Sequence, residues 1–385
     1  MEHFDVVVVG AGLVGAAVAH DLSACGARTL VVEAGPEPAA GASRSNSGIL
    51  HTGFDSTPGS LETEMILEQG RRWPDLFREL GIPFRVPGAL LLATNEEQCS
   101  QLPSLAENAR KNGVPTRLLD EAGTRELEPN ARSVGGLLVP GEAITDPFEV
   151  VRRLLSTGTH LRLGWRVNEV VHKDGAATVR SDAGSVSASY VVNCAGLYGD
   201  EVAGDGSFRI SARRGEFAVF DQGSAALVRH ILLPVPDKRT KGVLVFPTIY
   251  GHLCAGPSAV DQDDKEDWRP RRNELEAVRA QAAAIFPEVA RLETVDSWAG
   301  LRPVGHPHNY IVEWSGHNPW LLNVAAIRST GLSACLGISR YVMGMLVERG
   351  FTPRPVDTLQ PAILDEATMP WWQRLNVLRG VNGPC

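Results

Sequence analysis

The chain has 385 residues, 43% hydrophobic and 21% charged, with a formal net charge of −8. These are ordinary globular values, enough for one large unit or two domains of ~100–200 residues each. The absence of a basic stripe argues against nucleic acid as a partner. Six cysteines, Cys25, Cys99, Cys194, Cys254, Cys335 and Cys385, include no CxxC pair. They indicate neither a metal site nor a disulfide framework, and are expected as reduced thiols in a cytoplasmic protein.

The apolar opening from Phe4 to Ala19 follows Met1-Glu2-His3 rather than a basic leader, so a signal peptide is not expected. No other stretch reaches the ~18 apolar residues of a membrane span. Val6 to Val9, four β-branched residues in a row, predict a strand buried on both faces. Gly10-Ala11-Gly12-Leu13-Val14-Gly15 follows, then a helical run to Cys25, a stop at Gly26, and a second strand, "RTLVVE", closed by Glu33. This is the dinucleotide fingerprint in its full setting. Gly10 permits the tight turn, Gly12 lets backbone approach a pyrophosphate, and Gly15 lets helix and strand pack closely. The helix N-terminus offers N–H groups to phosphate. Glu33 accepts from ribose hydroxyls and repels a 2′-phosphate, favouring FAD or NAD over NADP. The loop "AGPEPAAGASRSNSG", carrying Ser45, Asn46, Ser47 and Gly48, has the small and hydroxyl residues that let backbone pass beside a bulky planar cofactor.

Beyond it, "LETEMILEQGRRWPDLFREL" has helical spacing, expected to break at Pro74. "FRVPGALLLATN" reads as strand, turn and strand, and "EEQCSQLPSLAENARKNG" as a polar helix. A helix is expected to start at Asp146-Pro147, with proline in its favoured early position. Hairpin turns are predicted at Asp174-Gly175 and Asp182-Ala183-Gly184. "SARRGEFAVF", "HILLPV" and "KGVLVFPTIYGHLCAG" read as further strands. "NVAAIRSTGLSACLGISRYVMGMLVERG" reads as a strand, the turn Ser329-Thr330-Gly331 and a long helix. After a Pro-rich tail, "PWWQRLNVLRG" reads as a short helix whose tryptophans are expected in ordinary packing.

The segments "GAGLVGAAVAHDL", "SNSGILHTGFDSTPGSL", "VVNCAGLYGD", "RRGEF", "TKGVLVFPTIYGHLCAGPSAVDQDDKEDW", "AGLRPV" and "NVAAIRSTGLSACLGIS" occur in this order. Together they resemble the D-amino-acid-oxidase-like FAD superfamily, within it the branch of FAD-dependent glycerol-3-phosphate dehydrogenases and L-2-hydroxyglutarate oxidases. The resemblance runs from about Asp5 to Arg340. It implies an α/β fold, with a Rossmann-like FAD-binding domain and an inserted antiparallel-sheet substrate domain. The expected division is 1–80, 141–204 and 297–355 for the cofactor, 81–140 and 205–296 for the substrate, and 356–385 as a tail. Three departures stand out. The sequence runs to Cys385 without the cysteine cluster that the larger glycerol-3-phosphate enzymes carry in a C-terminal domain. Glu62, Thr63 and Glu64 occupy the place where the family often has a lysine. Arg328 and Thr330 replace a usual glutamine and proline.

The resemblance implies hydride transfer from a substrate carbon to flavin, which needs a base, an anchor and stabilisation of reduced flavin. His51, between Gly48 and Gly53, is the candidate base; the alternative is a histidine that only hydrogen-bonds flavin or backbone. Arg302 in "WAGLRPVG" is the candidate anchor, its planar fork suited to carboxylate or phosphate. Arg328 is a candidate for a second acidic group, and Arg214 a weaker one. Ala195 and Gly196 are expected on the adenine side, and Gly300 beside the cofactor. Ser329, Thr330, Gly331 and Leu332 are expected to present a helix N-terminus to the flavin. The expected substrate is a small anion bearing a secondary alcohol, such as glycerol 3-phosphate or a 2-hydroxy acid. Amine oxidation and a non-catalytic flavin-binding subunit are the alternatives. Oxygen, a quinone or a partner protein all remain open as electron acceptor, as does peripheral attachment to a membrane.

Overall fold

The computed structural model describes all residues except 157, 174, 237–241, 355, 357–368 and 380–385. Asp174 of the first expected turn, most of the Pro-rich tail and Cys385 lie outside the described residues.

The strand His3–Val9 lies at the centre of an eight-stranded sheet. It runs parallel to Thr29–Val32 on one side and to Gly184–Asn193 on the other. Leu321–Ala325 extends the parallel block beyond Gly184–Asn193. Val6, Val7 and Val8 are fully buried, as a strand covered on both faces requires. The helix Leu13–Ala24 follows the glycine loop and packs against Gly331–Glu348, which in turn packs against Leu61–Glu79. Gly26 ends the first helix with φ of 68°. The hairpins Val167–Lys173 to Ala176–Ser181 and Ala176–Ser181 to Gly184–Asn193 form as expected.

A second sheet of nine strands is mainly antiparallel. It contains Ala89–Ala93, Arg117–Asp120, Gly135–Val139 and the strands from Arg209 to Gln262. The strand Thr294–His306 pairs with Arg209–Gln222 from Arg209↔His306 to Phe220↔Thr294. It therefore crosses the boundary expected at 297 and lies in the second sheet throughout. Ile49–Leu50, Ala143–Thr145 and Phe84–Arg85 form a small third sheet. It ties the segment after the cofactor loop to the segment before the helix Pro147–Leu155.

One expectation is corrected. Leu61–Glu79 is a single helix that runs through Pro74. Proline removes the bond to the carbonyl four residues back, which here belongs to exposed Gly70, where water can take that place. Trp73 and Phe77, on either side of the proline, both pack edge-on against Phe84.

Candidate functional site

A cleft of about 350 Å³ runs along the carboxyl ends of the parallel strands, lined by Val9, Val32, Cys194 and Val324 among others. This is where open α/β sheets bind ligands. Gly10 has φ of 102°, and a Cβ there would meet the Cys194 carbonyl oxygen at 2.4 Å. A Cβ at Gly15 would lie 1.9 Å from the Gly10 carbonyl oxygen, so helix and loop touch backbone to backbone. Gly12 lines the cleft as the uncapped N-terminal residue of the helix. Ser43 Oγ accepts from the Leu13 N–H at 2.8 Å. Glu33 accepts from the N–H groups of Ala11 and Gly35, both at 2.8 Å. Its carboxylate is thus fixed at the cleft wall with lone pairs to spare for hydroxyls.

Ala195 and Gly196 line the same cleft. So do Trp165, Arg166, Tyr198, Glu201, Glu266 and Trp268, which sequence reasoning missed. Glu266 and Trp268 come from the "DQDDKEDW" segment, read from the sequence only as part of a family likeness. Lys265 bonds Asp200 at 3.0 Å and Glu201 at 3.3 Å, and Tyr198 donates to Glu266. The segment is therefore a strap, drawn from the second sheet across to the first.

At the opposite end the cleft is lined by Asn46, Arg328, Gly331 and Leu332. Ser45 packs against Gly300, where a Cβ would sit 2.7 Å from Ser45 Oγ. Ser45 and Asn46 have their carbonyl oxygens held by the indoles of Trp298 at 3.1 Å and Trp371 at 3.2 Å. Gly48 donates to Asn46 Oδ1 at 2.9 Å, and its carbonyl accepts from Thr145 at 2.8 Å. Ser45, Ser47 and Gly48 thus shape this segment without lining the cleft. Trp371 and Trp372, on the helix Trp371–Leu378, are buried; Trp372 stacks on Trp298, which stacks on Phe217. Ordinary packing is their role, directly beneath the 45–48 segment. Ser329 is exposed and accepts from Asn46 Nδ2 through its carbonyl. Thr330 precedes the helix Gly331–Glu348, and no side chain caps that helix, leaving its N-terminal dipole available at the cleft.

Arg328, with φ of 52°, reaches Glu62 at 2.8 Å. Thr330 donates to the same carboxyl group at 2.8 Å. Glu62, standing where the family often has lysine, thus neutralises Arg328 instead of adding positive charge.

His51 N–H donates to Ser333 Oγ at 2.8 Å, one residue beyond Leu332. Its Nδ1 lies 2.8 Å from Glu142 Oε2, and the Glu142 side chain is fully buried. Nothing in the sequence marks Glu142, 91 residues away. Arg302, next to cleft-lining Pro303, donates through Nη2 to the Ser258 carbonyl at 3.0 Å. Its other nitrogens have no hydrogen-bond partner among the described residues. Burial pushes Arg302 down to about 10, with Arg213 adding to the effect and Asp261 opposing it, so it stays cationic at neutral pH. A Cβ on Gly215 would lie 2.3 Å from Arg302 Nη2; glycine there makes room for the guanidinium.

The expectation for Arg214 is corrected. Register pairs Arg213 with Arg302 and Arg214 with Leu301, so Arg214 points to the opposite face of the strand. There it is fully buried, bound to Glu216 at 2.9 Å and Gln262 at 2.8 Å. The residue holds structure and does not share a site with Arg302.

The sequence matches the family described as FAD dependent oxidoreductase over residues 5–345. The chain belongs to that family. It is 30% identical to a glycerol 3-phosphate dehydrogenase of Caloramator mitchellensis, over 89% of this chain and 74% of the relative. It is 29% identical to an L-2-hydroxyglutarate dehydrogenase of Escherichia coli O17:K52:H18, over 70% and 67%. Among solved structures, L-α-glycerophosphate oxidase from Mycoplasma pneumoniae with FAD bound superimposes with a TM-score of 0.88. The match has 24% identity and covers 95% of this chain and all of that one. This FAD-dependent oxidoreductase therefore has the α/β architecture expected of it, and FAD is its cofactor. The residues present fit that group: the glycine cradle a Cβ would fill, the fixed Glu33 carboxylate and the uncapped helix at Gly331. Among its described residues no helix is long and apolar enough to cross a membrane, and no cluster of three or more metal-ligating side chains occurs.

Proposed function

We propose that this FAD-dependent oxidoreductase oxidises the secondary-alcohol carbon of a small anionic substrate, a glycerol 3-phosphate-like molecule or a 2-hydroxy acid. The observation that carries the reading is Arg302: a half-buried guanidinium with one hydrogen bond and a fork to spare, beside the end of the cleft that His51 adjoins. A spare fork of this kind suits a carboxylate or a phosphate. FAD, when bound, supplies the two-electron acceptor for the carbinol hydrogen. Gly10, Gly12, Gly15 and Glu33 would hold its pyrophosphate and ribose, with Ala195 and Gly196 on its adenosine side. Asn46, Gly331 and Leu332 would line the ring's end of the cleft, with Ser45, Ser47, Gly48, Gly300, Ser329 and Thr330 setting the backbone behind them. The eight-stranded sheet and its helices form the cofactor domain, and the nine-stranded sheet the substrate domain. Arg302 fixes the acidic group and His51 takes the hydroxyl proton. Arg328, held by Glu62, screens the rim and adds no second anchor. Names of relatives support both substrate classes: glycerol 3-phosphate in one, 2-hydroxyglutarate in another.

The test is anaerobic addition of glycerol 3-phosphate, L-2-hydroxyglutarate, lactate, glycine and sarcosine to the purified holoprotein, followed at the flavin absorbance band. Bleaching by a hydroxy compound is expected, and His51→Asn should slow it by about 10²–10⁴-fold, the usual worth of a general base. Bleaching by glycine or sarcosine alone would replace this reading with amine oxidation; no bleaching by any of them would remove it.

A further inference from the structure

We infer that Glu142 is the positioning residue of the site: it holds His51 in the tautomer that leaves Nε2 bare to receive a proton. The inference rests on the reading of His51 as base.

The assignment follows from donors that cannot reverse. Glu142 Oε1 lies 2.7 Å from the Thr52 backbone nitrogen and 2.8 Å from the Thr52 hydroxyl. A backbone N–H can only donate, so Oε1 is an acceptor. Oε2 faces His51 Nδ1 at 2.8 Å. The side chain is fully buried, and no lysine or arginine pairs with it among the described residues. A buried carboxylate survives only when its lone pairs are met by donors. Thr52 supplies two, and the imidazole must supply the third from Nδ1–H. The ring carries one proton when neutral, so Nε2 keeps its lone pair. Nε2 has no hydrogen-bond partner among the described residues, and the ring is 31% exposed. When Nε2 takes the hydroxyl proton, the ring's positive charge arises 2.8 Å from a buried anion, in the manner of carboxylate–imidazole pairs in hydrolases. The backbone of His51 is held as well, since its N–H donates to Ser333 Oγ. Thr52 and His51 are neighbours, so one carboxylate clamps both the backbone and the ring of the same dipeptide.

The substitution Glu142→Gln separates positioning from packing because it keeps the shape. The amide oxygen must still face the Thr52 N–H, which turns the amide NH₂ toward His51 Nδ1. Nδ1 is then forced to accept, and the proton moves to Nε2, where it blocks the base. The experiment uses the holoenzyme labelled with [¹⁵N]histidine, read at alkaline pH where imidazoles are neutral, with His51→Asn identifying the signals. The wild type is expected to show a protonated Nδ1 and a bare Nε2, and Glu142→Gln the reverse. In the same variant, flavin reduction should fall by 10²-fold or more with KM changed less than a few fold and FAD retained. Thr52→Val, which removes one donor but leaves the carboxylate and the backbone N–H at that position, should keep the wild-type tautomer. A wild-type ring protonated at Nε2, or a Glu142→Gln protein with unchanged tautomer and rate, would overturn the inference. If the tautomers behave as stated but no hydroxy compound reduces the flavin, Glu142 stands as the positioning residue and only the alcohol-oxidation reading fails.

Discussion

Arg302 and Arg214 look alike in sequence: each is an arginine within two residues of a glycine, and both lie on strands of one sheet. What separates them is the alternation of faces. Arg302 shares a face with Arg213, whereas Arg214 is turned away and spent on Glu216. A one-residue difference in phase decides which guanidinium shares a face with Arg213 and which is buried against Glu216. The phase was not legible because the partner strand that sets it is about ninety residues away. His51 could be picked as a candidate because Gly48 and Gly53 flank its segment; its contact with Glu142 could not, since it forms only where the third sheet brings Ala143–Thr145 to Ile49–Leu50. Arg302→Ala is expected to raise KM for the anionic substrate by roughly 10²-fold, the worth of one or two charge-assisted bonds. FAD content should stay unchanged, which steady-state kinetics and the flavin spectrum measure together. Equal loss of FAD and substrate binding would count against the anchor role.

At the scale of elements, the glycine loop between Val9 and Leu13 could be read directly, because each part of it is fixed by local backbone geometry and by the strand and helix around it. The strap between Gln262 and Trp268 could not. Its residues entered the sequence reading only as part of a family likeness, yet Lys265 is only 16% exposed and binds Asp200 and Glu201. An ion pair this sheltered is worth more than a surface one. Lys265→Ala should therefore loosen the strap and speed FAD release by roughly tenfold, about 1.4 kcal/mol, as measured by dilution into apoprotein-free buffer and recovery of free flavin fluorescence. An unchanged release rate would mean that Trp268 and Glu266 hold their places without it. The helix Leu61–Glu79 teaches the converse lesson. Pro74 looked like a stop, but proline ends a helix only when nothing compensates, and Phe84 waits on the third sheet to pack both neighbouring rings.

Over the whole molecule, stability is linked to one carboxyl group below the cofactor segment. Asp146 caps the helix Pro147–Leu155 through the N–H groups of Phe148 and Glu149 and accepts from Tyr250 Oη at 2.5 Å. Burial pushes it up to about 6, with the Tyr250 and backbone bonds opposing that rise. The folded protein holds this proton more tightly than the unfolded chain does. Its contribution is therefore complete below about pH 4 and is lost as pH rises through about 6, on the order of 3 kcal/mol. Asp146→Asn keeps the capping oxygen but cannot ionise. Its melting temperature should fall less between pH 4 and 7 than that of the wild type; identical pH profiles would refute the assignment. Of the two-sheet plan, the opening βαβ unit was legible from the residues, and the inserted second sheet was expected from the family resemblance. The membership of Thr294–His306 was not, since its pairing depends on a partner strand that begins 85 residues earlier.

The helix Trp371–Leu378 lies far from the glycine loop in sequence, yet its first indole holds the carbonyl of Asn46, 325 residues earlier, beside the cleft. A chain cut before Trp371 is thus expected to keep the glycine loop from Gly10 to Gly15 and to leave the Asn46 carbonyl unheld.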